Sequence, residues 1–519
     1  MDNKLIKCIL RTKILFLSIV LFVSCTDEIW NQHYNPQANI VANDNLWTTI
    51  ENTPELSRFA KVLKSHGYDK TLSQTQAYTI FAPDNNAMEA IDTSKMDVKK
   101  ELIENHISRY FLPATGYQNV AIATLNGKRN SLYYADGRYH YGDAQFANPA
   151  KDIVASNGIV HVLNGVAKFS PNIWEYLSKR SDMDSLRNYL YSFNDLLFVP
   201  ELSVPGGTEN GQQTYLDSVF VNYNKKLSSL RGYIDAEDSS YIMLAPNNAA
   251  WQNAYNNIKS YYKYSGSKNY ADSMQRVNTK AAMVKDLFFN SHAQKSPVDS
   301  MVSTVRSTFY NPQYLFDGAD MVKTSNGLVY ITNDLKIDAL SSWFKPITVE
   351  AEQVVGREAL SSTAYSERVN IVNAGVSGNK YLRLTPSSST ANPSVTFDIP
   401  GTLSSTYDIS CVFVSPYVYN PNALGVKKCK VYFNLTYTNA AGMKADPVRY
   451  PATGTIEVNP NKNDSILAFP NITFPVANAG EKVTTVKVQI ISFVLRSETS
   501  NYSRELLIDC ILLKPKKQQ

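Results

Sequence analysis

Few residues in this 519-residue chain are placed to do covalent or acid–base chemistry, and one of them is a cysteine near the start. Cys25 follows Leu21-Phe22-Val23-Ser24, an apolar run over residues 14–23 broken by Ser18, and a basic start of Lys4, Lys7, Arg11 and Lys13. This order predicts an export signal over residues 1–24 and a thiol at Cys25 that receives a diacylglycerol. The apolar run is short for a bilayer span, which takes about 20 residues. Acyl chains, at about 0.8 kcal/mol per buried CH₂, would anchor the chain instead and leave the residues after Cys25 soluble. Phe22 stands where leucine is usual, and an ordinary signal with a chance cysteine is the alternative.

The remaining reactive side chains form no recognisable catalytic set. The six histidines (His33, His66, His106, His140, His161 and His292) show no metal-ligand spacing, and no GxSxG, Walker, GxGxxG or CxxC pattern occurs. Asp235, Glu237 and Asp238 sit in a polar turn, as solvated residues would. The expectation is a protein that is not an enzyme. Net charge is +5, and loss of residues 1–24 removes four cations and one acid, leaving +2. So small a charge gives no footprint for nucleic acid. Cys411, Cys429 and Cys510 lie in strand-like runs, in phase with apolar neighbours such as Ile409, Val431 and Ile508, which predicts buried free thiols. One disulfide stays open, with one cysteine left over and no pair chosen by spacing.

Two words of sequence occur twice and organise the middle of the chain. Tyr78-Thr-Ile-Phe-Ala-Pro-Asp-Asn-Asn-Ala-Met88 returns as Tyr241-Ile-Met-Leu-Ala-Pro-Asn-Asn-Ala-Ala-Trp251, and Ser156-Asn-Gly-Ile-Val-His161 returns as Ser325-Asn-Gly-Leu-Val-Tyr330. Their preserved order predicts a tandem duplication. In each copy a buried strand ends at Ala-Pro, because proline cannot donate to a ladder. Asp84, Asn85 and Asn86 then offer helix caps, with Glu89 placed to complete a box from Asn86. An Asn157-Gly158 turn should feed a second strand over 159–163. Helical spacing covers Leu56, Phe59, Ala60, Val62 and Leu63, then residues 98–111, and 281–289 in the second copy. His161 is expected to be a half-buried structural histidine, since its counterpart is Tyr330.

These boxes resemble the two signatures of the fasciclin domain, an α+β fold used mostly in extracellular adhesion. The resemblance implies one domain over 45–173 and a more divergent one over 177–345, with an insertion at about 200–230 whose 215–221 segment looks like one arm of a hairpin. A lipidated tether over 25–44 precedes them. In animal members a Tyr-His pair on the second helix is tied to adhesion. Here that helix reads Asn105-His106, so the binding mode is not carried over.

After residue 346 apolar alternation replaces helical periodicity, with turn residues every eight to twelve positions, which predicts a β-sandwich over 347–519. The fold class is therefore multidomain: two α+β domains, then an all-β jelly roll. Its ends, Thr348-Val-Glu350-Ala-Glu352 and Leu507-Ile508-Asp509-Cys-Ile-Leu, resemble those of galactose-binding-like carbohydrate-binding modules. That resemblance implies a structural calcium held by Glu350, Glu352 and Asp509, through hard oxygen ligands. Ordinary outward-facing strand residues are the alternative. No tryptophan lies beyond Trp343. Tyr417 and Tyr419, in the 415–421 loop, are the candidate sugar platform, with simple loop packing as the alternative.

Thr26-Asp27-Glu28 after Cys25 resembles the signal that sends lipoproteins of some Gram-negative gut bacteria to the outer face of the outer membrane. Asp-Ser-apolar triplets (Asp184-Ser185, Asp217-Ser218, Asp272-Ser273, Asp299-Ser300, Asp464-Ser465) resemble an O-glycosylation sequon of the same group. Three roles are expected. The first is a surface-exposed accessory that binds a glycan or other ligand beside a TonB-dependent transporter and its lid lipoprotein. The others are an adhesin holding an extracellular protein through the fasciclin pair, and an architectural subunit.

Overall fold

The computed structural model describes residues 42–114, 119–147, 152–291, 299–371, 374–419, 421–422 and 424–516. The export signal, Cys25 and the tether as far as residue 41 lie outside the described residues. The chain forms two compact units, which divide between Ser170 and Pro171.

The first unit is built on a four-stranded sheet in the order Ile107–Ser108, Tyr78–Pro83, Gly158–Leu163, Ile153–Ala155. Its two central strands are the two sequence boxes, paired in parallel from Tyr78↔Gly158 to Pro83↔Leu163. The second unit repeats this order with Phe288–Asn290, Tyr241–Pro246, Gly327–Thr332 and Asp320–Thr324, in the same parallel register from Tyr241↔Gly327 to Pro246↔Thr332.

The boxes recur because their residues do the same physical work twice. At Gly158 a Cβ would lie 2.1 Å from the Tyr78 carbonyl oxygen, and at Gly327 1.9 Å from that of Tyr241, with φ at +154° and +150°. Only glycine lets the strands pair there. The buried Asn157 accepts from Leu46 N (2.7 Å) and donates to the carbonyls of Leu72 and Gln74. Asn326 accepts from Ile173 N (2.9 Å) and donates to the carbonyls of Ile234 and Ala236. Each asparagine thus clasps three backbone groups from two chain segments that lie outside the ladder. Asp84 caps the helix Asn85–Glu89 by accepting from Ala87 N, as Asn247 does for Asn248–Ile258 from Ala250 N. Asn85 and Asn248 reach back instead, accepting from Arg58 N and Ser185 N, each at 2.9 Å.

Local expectations are corrected at several points. The box from Asn86 to Glu89 does not form; Asp84 is the cap, and Glu89 pairs with Arg58 at 3.3 Å. The 98–111 helix stops early. A π-helical turn, Val98–Ile103, and a 3₁₀ turn, Glu104–His106, give way to Ile107–Ser108, which pairs with Ile80 and Thr79. In the second copy the helix is Lys268–Val284, and Phe288–Asn290 is already strand. The tight turn is Ser156-Asn157, with the strand beginning at Gly158 itself.

The insertion is a longer arm than expected. Asn194–Phe198 pairs with Phe220–Asn224, and Val204–Glu209 with Gln212–Asp217. The 215–221 segment is therefore split between two strands. Leu196, Leu202, Leu216 and Phe220 on this arm are exposed, Leu216 at 82%.

From residue 347 the chain forms two packed antiparallel sheets. One runs Thr363–Asn370, Lys380–Pro386, Leu506–Lys516, Thr406–Phe413, Asp464–Thr473, with Ile347–Glu350 added to Leu506–Lys516. The other runs Arg357–Ser361, Ser394–Asp398, Lys487–Ser492, Lys428–Thr436, Val448–Tyr450, with Ile456–Val458 and Tyr502–Ser503 also pairing Lys428–Thr436. A single hydrophobic core runs from Ile173 in the second repeat to Leu513 in the last strand. Phe344 meets Tyr407 edge-on at 5.7 Å, and Tyr264 Oη donates to Ala479 O at 2.6 Å. The repeat and the sandwich are thus joined by packing as well as by chain.

Candidate functional site

The acidic residues of the first and last strands of the sandwich come together. Glu350 pairs with Cys510, which also pairs with Val412, while the next ladder step joins Ile508 to Phe413. Asp509 is the extra residue of a β-bulge, a device that re-aims a side chain. Its Oδ1 accepts from Ser377 N at 3.0 Å, and Ser377 Oγ donates to Glu350 Oε1 at 2.6 Å. Ligand atoms of Glu350, Asp509 and Cys510 lie within 4.8 Å of one another. Glu350 Oε2 and Glu352 Oε2 are buried without a hydrogen-bond partner among the described residues. Burial, with the charges of Glu350 and Glu352, pushes the Asp509 carboxyl up to about 6, against the pull of the Ser377 N–H. Glu350 and Asp509 meet within 4.8 Å while Glu352 lies outside that group and adds charge nearby, and two carboxylates with bare buried oxygens suit a hard cation. The soft sulfur of Cys510 does not.

A second feature lies on the outer face of the other sheet. Thr396, Gln489, Asn434 and Arg449 sit opposite one another across four adjacent strands. Asn434 Nδ2 donates to Gln489 Oε1 at 3.1 Å, and the Arg449 guanidinium lies 4.0 Å from the Tyr432 ring centre. Beside this row a trough of about 570 Å³ is lined by Thr436, Tyr437, Thr438, Lys444 and Lys487 as well as by Thr396, Asn434 and Gln489. Lys487 is held by Glu358 (2.9 Å) and Asp398 (3.0 Å). Amides, hydroxyls and an aromatic ring on a rigid sheet match the vicinal hydroxyls and apolar faces of sugars. Sequence reasoning missed these residues. The signal was the alternation in Lys428–Thr436, where Tyr432 and Asn434 stand between the buried Val431, Phe433 and Leu435.

Tyr417 does not join either feature. It lies half-buried on a short helix, Pro416–Tyr419, where a loop was expected, and its N–H donates to Ser415 Oγ. The side chain of Tyr419 lies outside the described residues. Cys411 and Cys510 are buried, Cys429 is half-buried, and all three are free thiols. Burial pushes Cys429 and Cys510 up to about 12 and Cys411 higher still. They are poor nucleophiles.

Two histidines of the first unit, His106 and His161, are built into its core. His106 is fully buried, its Nδ1–H donating to Leu102 O (2.7 Å) while Nε2 accepts from Ala167 N (2.9 Å). Burial holds it down at about 4, so it is neutral. His161 is fully buried, not half-buried, between Phe81, Phe146 and the Leu112 carbonyl, with Nδ1 3.2 Å from Asp152. Tyr330 takes its register position beside Leu244 and packs on Phe316. His33 and His292 lie outside the described residues.

No curated protein matches the chain. Among solved structures, one similar to it is the FAS1 domain pair of the insect cell adhesion molecule fasciclin I, at 13% identity and a TM-score of 0.21, covering 55% of this chain and 98% of that one. The C-terminal family 22 carbohydrate-binding module of Clostridium thermocellum Xyn10B aligns at 14% identity and a TM-score of 0.20, over 33% of this chain and 94% of the module. A family 35 carbohydrate-binding module from an environmental isolate aligns at 12% identity and a TM-score of 0.19, over 33% and 98%. This is a multidomain α+β protein with a β-rich C-terminal region resembling such modules, and its residues 54–168 match the fasciclin domain family.

Proposed function

We propose that the protein is a non-catalytic lipoprotein, anchored through Cys25 and displayed on the outer membrane, that binds glycan through its C-terminal sandwich. The observation that carries the reading is the trough lined by Thr396, Asn434, Gln489 and Tyr437 on the outer face of one sheet. A site of this kind captures and orients; it has no paired acid and base for bond cleavage. Calcium held by Glu350, Glu352 and Asp509 would be structural, tying the first strand to the last. The role supported best is an accessory that hands glycan to a TonB-dependent transporter and its lid lipoprotein.

The test is retardation of the full mature chain in gels cast with individual plant and host polysaccharides. Gln489→Ala and Asn434→Ala should each weaken retardation by at least tenfold with melting unchanged. Equal retardation by the variants would remove the sandwich from the reading. Labelled palmitate incorporated by wild type and not by Cys25→Ser tests the anchor. Adhesion is the second reading, favoured by the fasciclin match over 54–168. It gains if the variants lose glycan yet the chain still retains matrix proteins.

A further inference from the structure

A different cleft, in the repeat half of the second unit, has a chemistry of its own. Helices Asp184–Tyr191, Asn248–Ile258 and Lys268–Val284 border an open cleft of about 550 Å³. Arg276 and Lys280, one turn apart on the long helix, both line it, and no carboxylate does among the described residues. Tyr189 and Trp251, with ring centres 5.7 Å apart, form an aromatic wall. The Tyr189 ring has two ammonium groups within 5.9 Å, those of Lys226 and Lys280. Among the described residues Lys226, Arg276 and Lys280 form no ion pair, although charged neighbours such as Arg187–Asp184 and Lys225–Asp195 do. Asn188, Gln252 and Ser192 supply neutral donors and acceptors around the cations.

Arg276 and Lys280 line the cleft beside an aromatic wall with no carboxylate among its described lining residues, and an anion relieves their repulsion. The amide and hydroxyl groups need partners that a bare inorganic anion lacks, and a sugar ring presents both hydroxyls and an apolar face. We infer that this cleft binds an acidic saccharide, a sugar ring bearing a carboxylate or a sulfate, with Arg276 and Lys280 pairing its charge and Tyr189 supporting the ring. The site is separate from the trough on the sandwich, and it extends the proposed function from neutral to charged glycans without depending on it.

Calorimetric titration of the full mature chain with trigalacturonate, a heparin-derived disaccharide, xylotriose and hexaglutamate tests the inference. One of the two acidic sugars is expected to bind at least tenfold tighter than xylotriose and hexaglutamate, and the pair tells carboxylate from sulfate. Affinity should fall with added salt, as it does for charge pairing near a surface. Arg276→Glu with Lys280→Glu should abolish this binding, while Asn434→Ala leaves it intact. If the double variant does not fold, Arg276→Gln alone, at an exposed position, should cost at least fivefold. The inference is overturned if acidic sugars bind no tighter than xylotriose, if hexaglutamate matches them, or if the Arg276 and Lys280 variants bind as wild type does.

Discussion

At the scale of single residues, two titrating groups carry opposite signs of pH dependence. Asp509 has its carboxyl pushed up to about 6 in the fold, whereas an unfolded aspartate titrates near 3.9. The metal-free protein is therefore destabilised progressively as pH rises from about 4 through 6, where the folded state must ionise against Glu350 and Glu352. Calcium bound at the proposed site would reverse this by replacing the proton. At a hundredfold excess over its dissociation constant it should add about 2.7 kcal/mol at pH 7.5 and little at pH 4.5. Thermal melts at the two pH values, with and without calcium, check this, and Asp509→Asn should erase the difference. His106 behaves the other way. Its folded value of about 4 lies below the unfolded 6.5, so its contribution is full above pH 6.5 and is lost as pH falls toward 4. The loss is on the order of 3 kcal/mol and belongs to the first unit. Urea titrations between pH 4 and 7 should show this slope, and a His106→Gln variant that keeps the whole of it would dismiss the histidine as its source.

At the scale of elements, the clasp asparagines show what the sequence made legible. Asn157→Ala leaves the Leu46 N–H and the Leu72 and Gln74 carbonyls without partners, at a cost of about 3 kcal/mol. Asn326→Ala should cost the second unit a similar amount, through Ile173, Ile234 and Ala236. Chemical denaturation followed separately in each unit measures both, and a loss below about 0.5 kcal/mol for either would mean that water replaces the clasp. These boxes could be read because each word specifies geometry locally: a glycine forced by close approach, an asparagine beside it, a proline ending a strand. The acidic end strands were expected only from their resemblance to carbohydrate-binding modules, and the structure pairs Glu350 with Cys510 beside Asp509. The trough was not legible. Thr396, Asn434, Arg449 and Gln489 are common residue types on four separate strands, and only register brings them into one row. Tyr417 misled because a tyrosine between prolines looks exposed, while the backbone there turns into a short helix. The helix ending at His106 was equally hidden, for Ile107 keeps helical spacing and becomes strand only because Ile80 lies opposite.

At the scale of the molecule, the repeats share one four-stranded sheet topology but are unequal in company. The first unit closes its own core around Leu46, Phe59, Ile80 and Val160. The second repeat shares one core with the sandwich, so that Phe344, Tyr407 and Phe474 pack in series and Ala477 N donates to Lys263 O at 2.6 Å. Separate cores melt separately and a shared core melts as one. Calorimetry of the mature chain should therefore resolve two transitions, not three. A second unit that melts as one should pass the stabilisation from calcium at the proposed Glu350–Asp509 site to residues far from it. Hydrogen exchange in Ile173–Ser178 and Tyr241–Pro246 should slow on adding calcium as much as exchange in Leu506–Lys516, while Tyr78–Pro83 in the first unit stays unchanged. Protection confined to residues beyond 347 would show that the shared core does not couple the two halves, and the sandwich would then be a domain that merely leans on its neighbour.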